Sequence, residues 1–437
     1  KVEVMTPDVL REALWGDGDR RTRTVIIILF FIACVGYLLS VRCLDIETEV
    51  IRDRFANAET IFSGVFPVTE YPPLILVFIA IPRVFGSTPW GYEAAYVAQM
   101  FVFMVIGLLL TSRLAERLEC SRRKAMLAYA VMTLLMLEFV LDRFDMIVMV
   151  FTLASFLMLV EKRYAWAFSL LAMGTLLKVY PAILLPLYIV YLMNGGRARE
   201  AAEGFVVFIL TGVAVMAVCL VLEPNALTNF LGYNGYRPLQ IESFAASAVY
   251  LLSMLGLTEV WIQPSTAEGS FLSDNLRGPL PDEVASFLLP LLVIAVAAVW
   301  LAYAWICRRE GGSCDLRLLS LACLGCMLVF LVVNKVFSSQ YMIWIIGPVV
   351  CATLLCEESF GRRILALTTA SLVLTQINFA YNVGYLGGGV NIDDLGMAVL
   401  AIRNLVVLAM LILVVRAIVV PPETPEKAGT ARVVMVK

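Results

Sequence analysis

The chain has 437 residues, 61% of them hydrophobic and only 16% charged, with a formal net charge of -2 and a mean hydropathy of +0.88. Soluble domains have about 45–50% apolar and about 25% charged residues, so the composition excludes an ordinary soluble domain and gives no argument for a nucleic-acid binder. Histidine is absent, which excludes a His general base, a His-ligated metal and a Ser-His-Asp triad.

Residues 1–23, with Arg20, Arg21 and Arg23, read as a cytoplasmic N-terminus. The apolar run 24–44 is long enough to cross a bilayer and lacks a small-residue cleavage site, which predicts an anchor and not a signal peptide. A loop at 45–92 follows, and Asp45, Glu47, Glu49, Arg52, Asp53, Arg54 and Glu59 make it too charged to lie in lipid. Within it, 50–63 has an amphipathic helical pattern, with Ile51, Phe55, Ala58, Ile61 and Phe62 apolar. The segment 72–85 opens on two prolines and contains Pro82 and Arg83. It is shorter than the roughly 17 residues a crossing needs, which predicts an interfacial helix.

Further apolar runs lie at 93–112, 124–141, 145–160, 164–180, 182–194, 204–222, 284–306, 317–333, 342–356, 363–381 and 397–419. With the first run they predict about twelve crossings. A cytoplasmic N-terminus then places Arg113, Arg117, Arg122, Arg123, Lys124, Lys162, Arg163, Arg197, Arg199, Arg308, Arg309, Arg317, Arg362 and Arg363 on one side, as the positive-inside rule requires. Counting 72–85 as a crossing would put the basic cluster 113–124 outside. The expected fold is an all-α polytopic bundle, one integral membrane domain over 1–437, in the plasma membrane with both termini cytoplasmic. Its outer face carries the loop 45–92 and a long stretch at 223–283; 421–437 reads as a disordered cytoplasmic tail. Cys34, Cys219, Cys323, Cys326, Cys351 and Cys356 sit in apolar runs and read as packing residues, Cys323-x-x-Cys326 included. The stretch 223–283 has no cysteine, so no disulfide framework is expected.

Charges in lipid are costly, about 2.5–3.5 kcal/mol at a helix centre, so those present need a reason. Lys178 and Lys335 sit at outer ends of runs, Asp142 and Asp145 flank Arg143 at another, and Arg403 lies inside the last run. Each alone reads as snorkelling to the interface. Together they fall on the face of the acidic loop, and cations beside carboxylates suit an anionic ligand and a base. The stretch 236–243, with Arg237, Gln240 and Glu242, is flanked by Phe230, Tyr233, Tyr236 and Phe244. Rings with polar groups at short intervals suit a sugar, and equally an interfacial aromatic belt.

Five ordered stretches resemble the signatures of GT-C membrane glycosyltransferases. They are Glu70-Tyr71-Pro72-Pro73-Leu74, Arg143-Phe144-Asp145, Lys178-Val179-Tyr180-Pro181, Arg237 to Ser243, and Lys335-Val336-Phe337-Ser338-Ser339-Gln340-Tyr341. The chain is most similar to the glycosyltransferase family 87 branch of polyprenyl-phosphate-mannose-dependent mannosyltransferases. The resemblance implies juxtamembrane helices after the first crossing, an acidic catalytic residue in the first outer loop, and a lipid-phosphate sugar donor. It also implies Lys178, Tyr180, Arg237, Gln240, Glu242, Lys335, Gln340, Tyr341, Arg143 and Asp145 as the donor-binding set. At the family's aspartate position before the loop glycine, Gly64, this chain has Val50. An expanded loop makes Asp45 the equivalent and a shifted one Asp53; Glu47 and Glu49 are further acidic candidates.

The expected activity is inverting transfer of a hexose, mannose by resemblance, to a lipid or glycan acceptor at the extracytoplasmic face. No cofactor is expected and no divalent metal, because few carboxylates cluster. The expected partners are the polyprenyl-phosphate sugar, the acceptor and membrane lipids. A transporter or lipid flippase is the rival class, favoured by the crossing count but not by any inverted repeat. A membrane scaffold without catalysis is a third.

Overall fold

The computed structural model describes residues 17–46, 48, 50–67, 72–225, 227–228, 232, 237–265, 267–271, 273–309, 314–382 and 394–419. Glu47, Glu49, Glu70, Tyr71, Phe230, Tyr233, Tyr236, most of the N-terminal segment 1–23 and the tail 421–437 lie outside them. Among the described residues, six helices are long and apolar enough to cross a membrane. They are α1 (Asp17–Cys43), α4 (Pro89–Arg117), α10 (Ala198–Leu222), α12 (Pro279–Arg309), α13 (Leu316–Val333) and α16 (Asp394–Val419). The remaining expected crossings are shorter helices, α5 (Arg122–Leu135) with α6 (Leu137–Asp142), α7 (Asp145–Val160), α8 (Tyr164–Leu177), α9 (Leu185–Asn194) and α14 (Ile346–Leu355), and the 25-residue α15 (Glu358–Asn382).

Burial separates hub from rim. α13 packs on α12, α14 and α16, and 72% of its apolar window is enclosed, whereas none of the window of α10 is. In a membrane protein that bare face meets lipid, which is as apolar as its side chains. Cys323 and Cys326 are buried free thiols on α13 and pack as the sequence expects.

The loop that follows α1 folds as a π-helical turn (Val50–Phe55) followed by α2 (Ala56–Phe62) and α3 (Ile75–Phe85). At 11 residues, α3 is about 16 Å long, half a bilayer core. It packs on α2 and α4. The next helix starts cleanly because Thr88 caps it, accepting the Gly91 N–H at 3.1 Å, and Pro89 takes the first position, where no N–H is needed.

Three features depart from the sequence reading. The run 124–141 is broken at Met136 into α5 and α6; Gln376 of α15 donates to the Leu135 carbonyl at 2.7 Å, satisfying a backbone group freed by the break. The bundle is all-α as expected, but the stretch 223–283 has secondary structure of its own. It carries α11 (Phe244–Met254) and a three-stranded antiparallel sheet of β1 (Leu239–Gln240), β2 (Trp261–Gln263) and β3 (Asn275–Arg277), with β3 central. Leu239 pairs with Leu276 and packs with Ala246, Val249 and Leu288 in a small apolar core. Finally, Cys307 and Cys314 form a disulfide where none was expected, because the ends of α12 and α13 bring their Cα atoms to 5.1 Å.

The α3–α4 turn depends on close backbone approach. A Cβ on Gly86 would lie 2.1 Å from the Gly91 carbonyl carbon, which cannot swing away. Gly86→Ala is therefore expected to cost about 1–3 kcal/mol of stability, read as a lower thermal midpoint in detergent. Gly212→Ala, where a Cβ on α10 meets nothing within 4 Å, should leave the midpoint in place or raise it.

Candidate active site

Three of the signature stretches meet at Asp145. This residue opens α7, just after the turn from α6, and is wholly buried. Its Oδ1 accepts from Lys178 Nζ at 2.7 Å and from the indole N–H of Trp344. Lys178 ends α8; Trp344 lies on the 3-10 turn Ser339–Ile345 that follows α13. Trp344 is stacked between Tyr180 (centroids 4.2 Å apart) and Tyr341 (3.9 Å), and the Lys178 ammonium stands over the Tyr341 and Trp344 rings at 4.7 and 5.1 Å. Lys178 therefore turns inward to a carboxylate and does not snorkel. A desolvated ammonium over aromatic faces gains further attraction from their negative quadrupoles.

The other stretches are clasped by Gln240. Its backbone N–H donates to the Lys335 carbonyl at 3.0 Å, its Nε2 to Ser338 Oγ at 2.9 Å, and its Oε1 accepts the Phe337 N–H at 2.8 Å. Its amide thus holds the outer sheet to the 335–341 segment. Next to it, Glu242 Oε2 accepts from Ser339 Oγ at 2.5 Å and from Arg403 Nη1 at 3.1 Å. Arg403 is fully buried in α16, its guanidinium 4.1 Å over the Phe337 ring and bonded also to the Glu242 carbonyl and Asn404. Lys335 is nearly buried, and desolvation together with the charge of Arg237 pushes its pKa below the ordinary lysine value. Arg237 reaches Ser273 Oγ at 3.3 Å, and Gln340 is half-buried on the 3-10 turn.

Arg143 lies in the electrostatic field of both groups. Burial pushes its pKa down to about 10, while Asp145, Glu242 and Tyr37 all act on it in the opposite sense. Its Nε lies 3.5 Å from Asp142 Oδ2. Burial pushes Asp142 up to about 6 against the opposing charge of Arg54, and Asp53 adds a smaller upward push. The two loop aspartates therefore differ. Asp53 is about a quarter exposed, 3.2 Å from Arg52 Nε and 4.0 Å from Arg54 Nη1, and lies in the electrostatic field of Asp142. Asp45 is exposed on the turn that ends α1, with φ +50°, and has no hydrogen-bonding or ionic partner among the described residues. Among the described residues no three His, Cys, Asp or Glu gather as a metal site.

Arg403, Asn404, Trp344, Asp142, Arg54 and Ser339 join this arrangement without standing in the expected site. Arg403-Asn404 carried a signal, a charge inside an apolar run, whereas Trp344 carried none. The Glu242–Arg403 pair makes a direct stability test. Glu242→Gln leaves a buried guanidinium without its counter-charge, and losing one partner of such a pair costs about 3–5 kcal/mol. The thermal midpoint should fall clearly in the native background and much less in an Arg403→Met background; equal falls in both would mean the pair is not coupled.

The glycosyltransferase family 87 signature matches residues 69–334, well over half of the chain. The match starts after Asp53 and ends one residue before Lys335. No curated protein matches the chain. With six helices able to cross a bilayer, the chain belongs to glycosyltransferase family 87 and is an integral membrane glycosyltransferase.

Proposed function

We propose that the protein moves a hexose, mannose in the branch it resembles, from a polyprenyl-phosphate donor to a lipid or glycan acceptor. The reaction inverts the anomeric centre and takes place at the extracytoplasmic face of the plasma membrane. The bundle crosses the bilayer about twelve times, the shorter helices included, and both termini are cytoplasmic. Nucleotide sugars are cytosolic, so an outward site calls for a lipid-carried donor.

One observation carries this reading: the 335–345 segment joins the two groups, its Tyr341 and Trp344 packing on the Lys178–Asp145 pair and its Ser338 and Ser339 bonding Gln240 and Glu242. In the reaction the acceptor oxygen attacks the anomeric carbon. The bond from that carbon to the phosphate oxygen breaks, and polyprenyl phosphate leaves with the electron pair. The acceptor proton goes to a carboxylate. Lys178, Lys335 and Arg237 hold the phosphate and stabilise the charge gathering on it. Tyr180, Tyr341 and Gln340 line the donor's approach, and Gln240 and Glu242 fix the segments that carry the cations.

Asp53 is the better base of the two loop aspartates. It is partly screened from water and electrostatically continuous with Asp142 and Arg54, whereas Asp45 faces solvent. Asp53→Asn should lower kcat in a membrane transfer assay by about 10²–10⁴-fold, with Asp45→Asn near wild type. The reverse ranking would move the base to Asp45, and full turnover in both variants would remove the loop aspartate from the mechanism.

A further inference from the structure

Two adjacent residues near the start of α4 hold the two ends of the segment that carries Asp53. At the first end, the Thr48 hydroxyl donates to Glu93 Oε1 at 2.9 Å, and both residues are buried. The same hydroxyl oxygen accepts the Ile51 N–H at 3.2 Å, and the Thr48 carbonyl accepts the Arg52 N–H at 3.0 Å. Thr48 therefore caps the 50–55 turn, giving partners to two amides at its start. A threonine hydroxyl has one proton and two lone pairs. With the proton committed to Glu93, the lone pairs are left for the Ile51 amide.

At the second end, Phe55 packs on Tyr92, with centroids 5.5 Å apart. The Tyr92 hydroxyl donates to the Ile79 carbonyl of α3 at 3.0 Å, so that ring is itself fixed. Successive residues of an α-helix point about 100° apart. Anchors on two sides of α4 keep the segment from swinging about either one.

Packing does not account for a glutamate at this place. Glu93 is fully buried, and its Oε2 has no hydrogen-bond partner among the described residues. Withdrawing a carboxyl group from water against a single hydroxyl donor costs stability. What the group provides is one acceptor, placed against the residue that starts the turn. We propose that Glu93 is a positioning residue for sugar transfer: by holding the Thr48 hydroxyl it starts the 50–55 turn and so sets where Asp53 is presented. The functional half of this rests on Asp53 being the base; the anchoring half stands on the contacts alone.

The test uses the full chain in lipid nanodiscs, with hydrogen exchange of the 51–55 amides and transfer kinetics read on the same samples. In wild type the Ile51 and Arg52 amides should be protected. Thr48→Val keeps the side chain's shape and removes the hydroxyl. Exchange over 51–55 should then quicken about tenfold, the scale of one hydrogen bond. Its kcat should fall by a similar factor with KM little changed, and Thr48→Ser should restore both exchange and kcat. Glu93→Met should repeat the effects of Thr48→Val.

The double variant separates positioning from support of the fold. Thr48→Val with Glu93→Met removes both partners of the buried bond, so the thermal midpoint should recover above either single variant. Exchange should stay fast and kcat low. Recovery of kcat along with the midpoint overturns the proposal, as does Thr48→Val with wild-type exchange or with full kcat where Asp53→Asn has lost activity. Wild-type Ile51 and Arg52 amides that exchange as freely as an open loop overturn it too, even where a variant fails to fold. Fast exchange in Thr48→Val beside full turnover in Asp53→Asn upholds the anchor and removes Asp53 as base.

Discussion

A carboxylate withdrawn from water survives as an anion only beside a cation and hydrogen-bond donors, and this constraint organises the end of the bundle that carries the signature stretches. Asp145 meets it with Lys178 and the Trp344 indole. Since these residues come from α7, the end of α8 and the turn after α13, the demand of one buried charge draws together helices far apart in sequence. The aromatic stack Tyr180–Trp344–Tyr341 packs against the pair and limits its contact with water, which strengthens the attraction and raises the cost of losing either partner.

The second group repeats this logic from the other side. Arg403 would be expensive in the middle of the last apolar helix; Glu242, Asn404 and the Phe337 ring make it tolerable. Arg403 in turn draws the start of α11 down onto the bundle, and Gln240 locks the neighbouring strand to the segment carrying Lys335. A small outer sheet and an intramembrane arginine are thus one mechanical unit. Arg237 and Lys335 lie within each other's field, and burial first and the Arg237 charge second push the Lys335 pKa down. In the proposed reaction the donor phosphate meets both cations and stabilises their charged forms.

Much of this was legible beforehand because bilayers impose simple rules. Length and charge identified the long helices and the short α3, and the rarity of embedded charge singled out Lys178, Lys335, Arg143, Asp145 and Arg403. What remained hidden depends on three-dimensional partners. Trp344 looks like any apolar-run aromatic until Asp145 is placed beside it. The break at Met136 has no proline or glycine to announce it, and its exposed carbonyl is satisfied by Gln376 from α15. Strands two or three residues long, such as β1 and β3, leave too short a pattern to read. Between Asp45 and Asp53 the sequence left the choice of base open; in the fold the two differ in exposure and in neighbouring charge.

The central claim is that cations from the distant signature stretches serve one phosphate at the outward rim of the bilayer. The most direct measurement is a cryo-EM reconstruction of the protein in nanodiscs with a non-transferable polyprenyl-phosphate hexose analogue. The account predicts phosphate density within hydrogen-bonding reach of Lys335 or Arg237 and on the same side as Lys178, with the sugar turned toward the 50–55 turn. Density seated at the opposite leaflet, or with no cation from these stretches beside the phosphate, would contradict it.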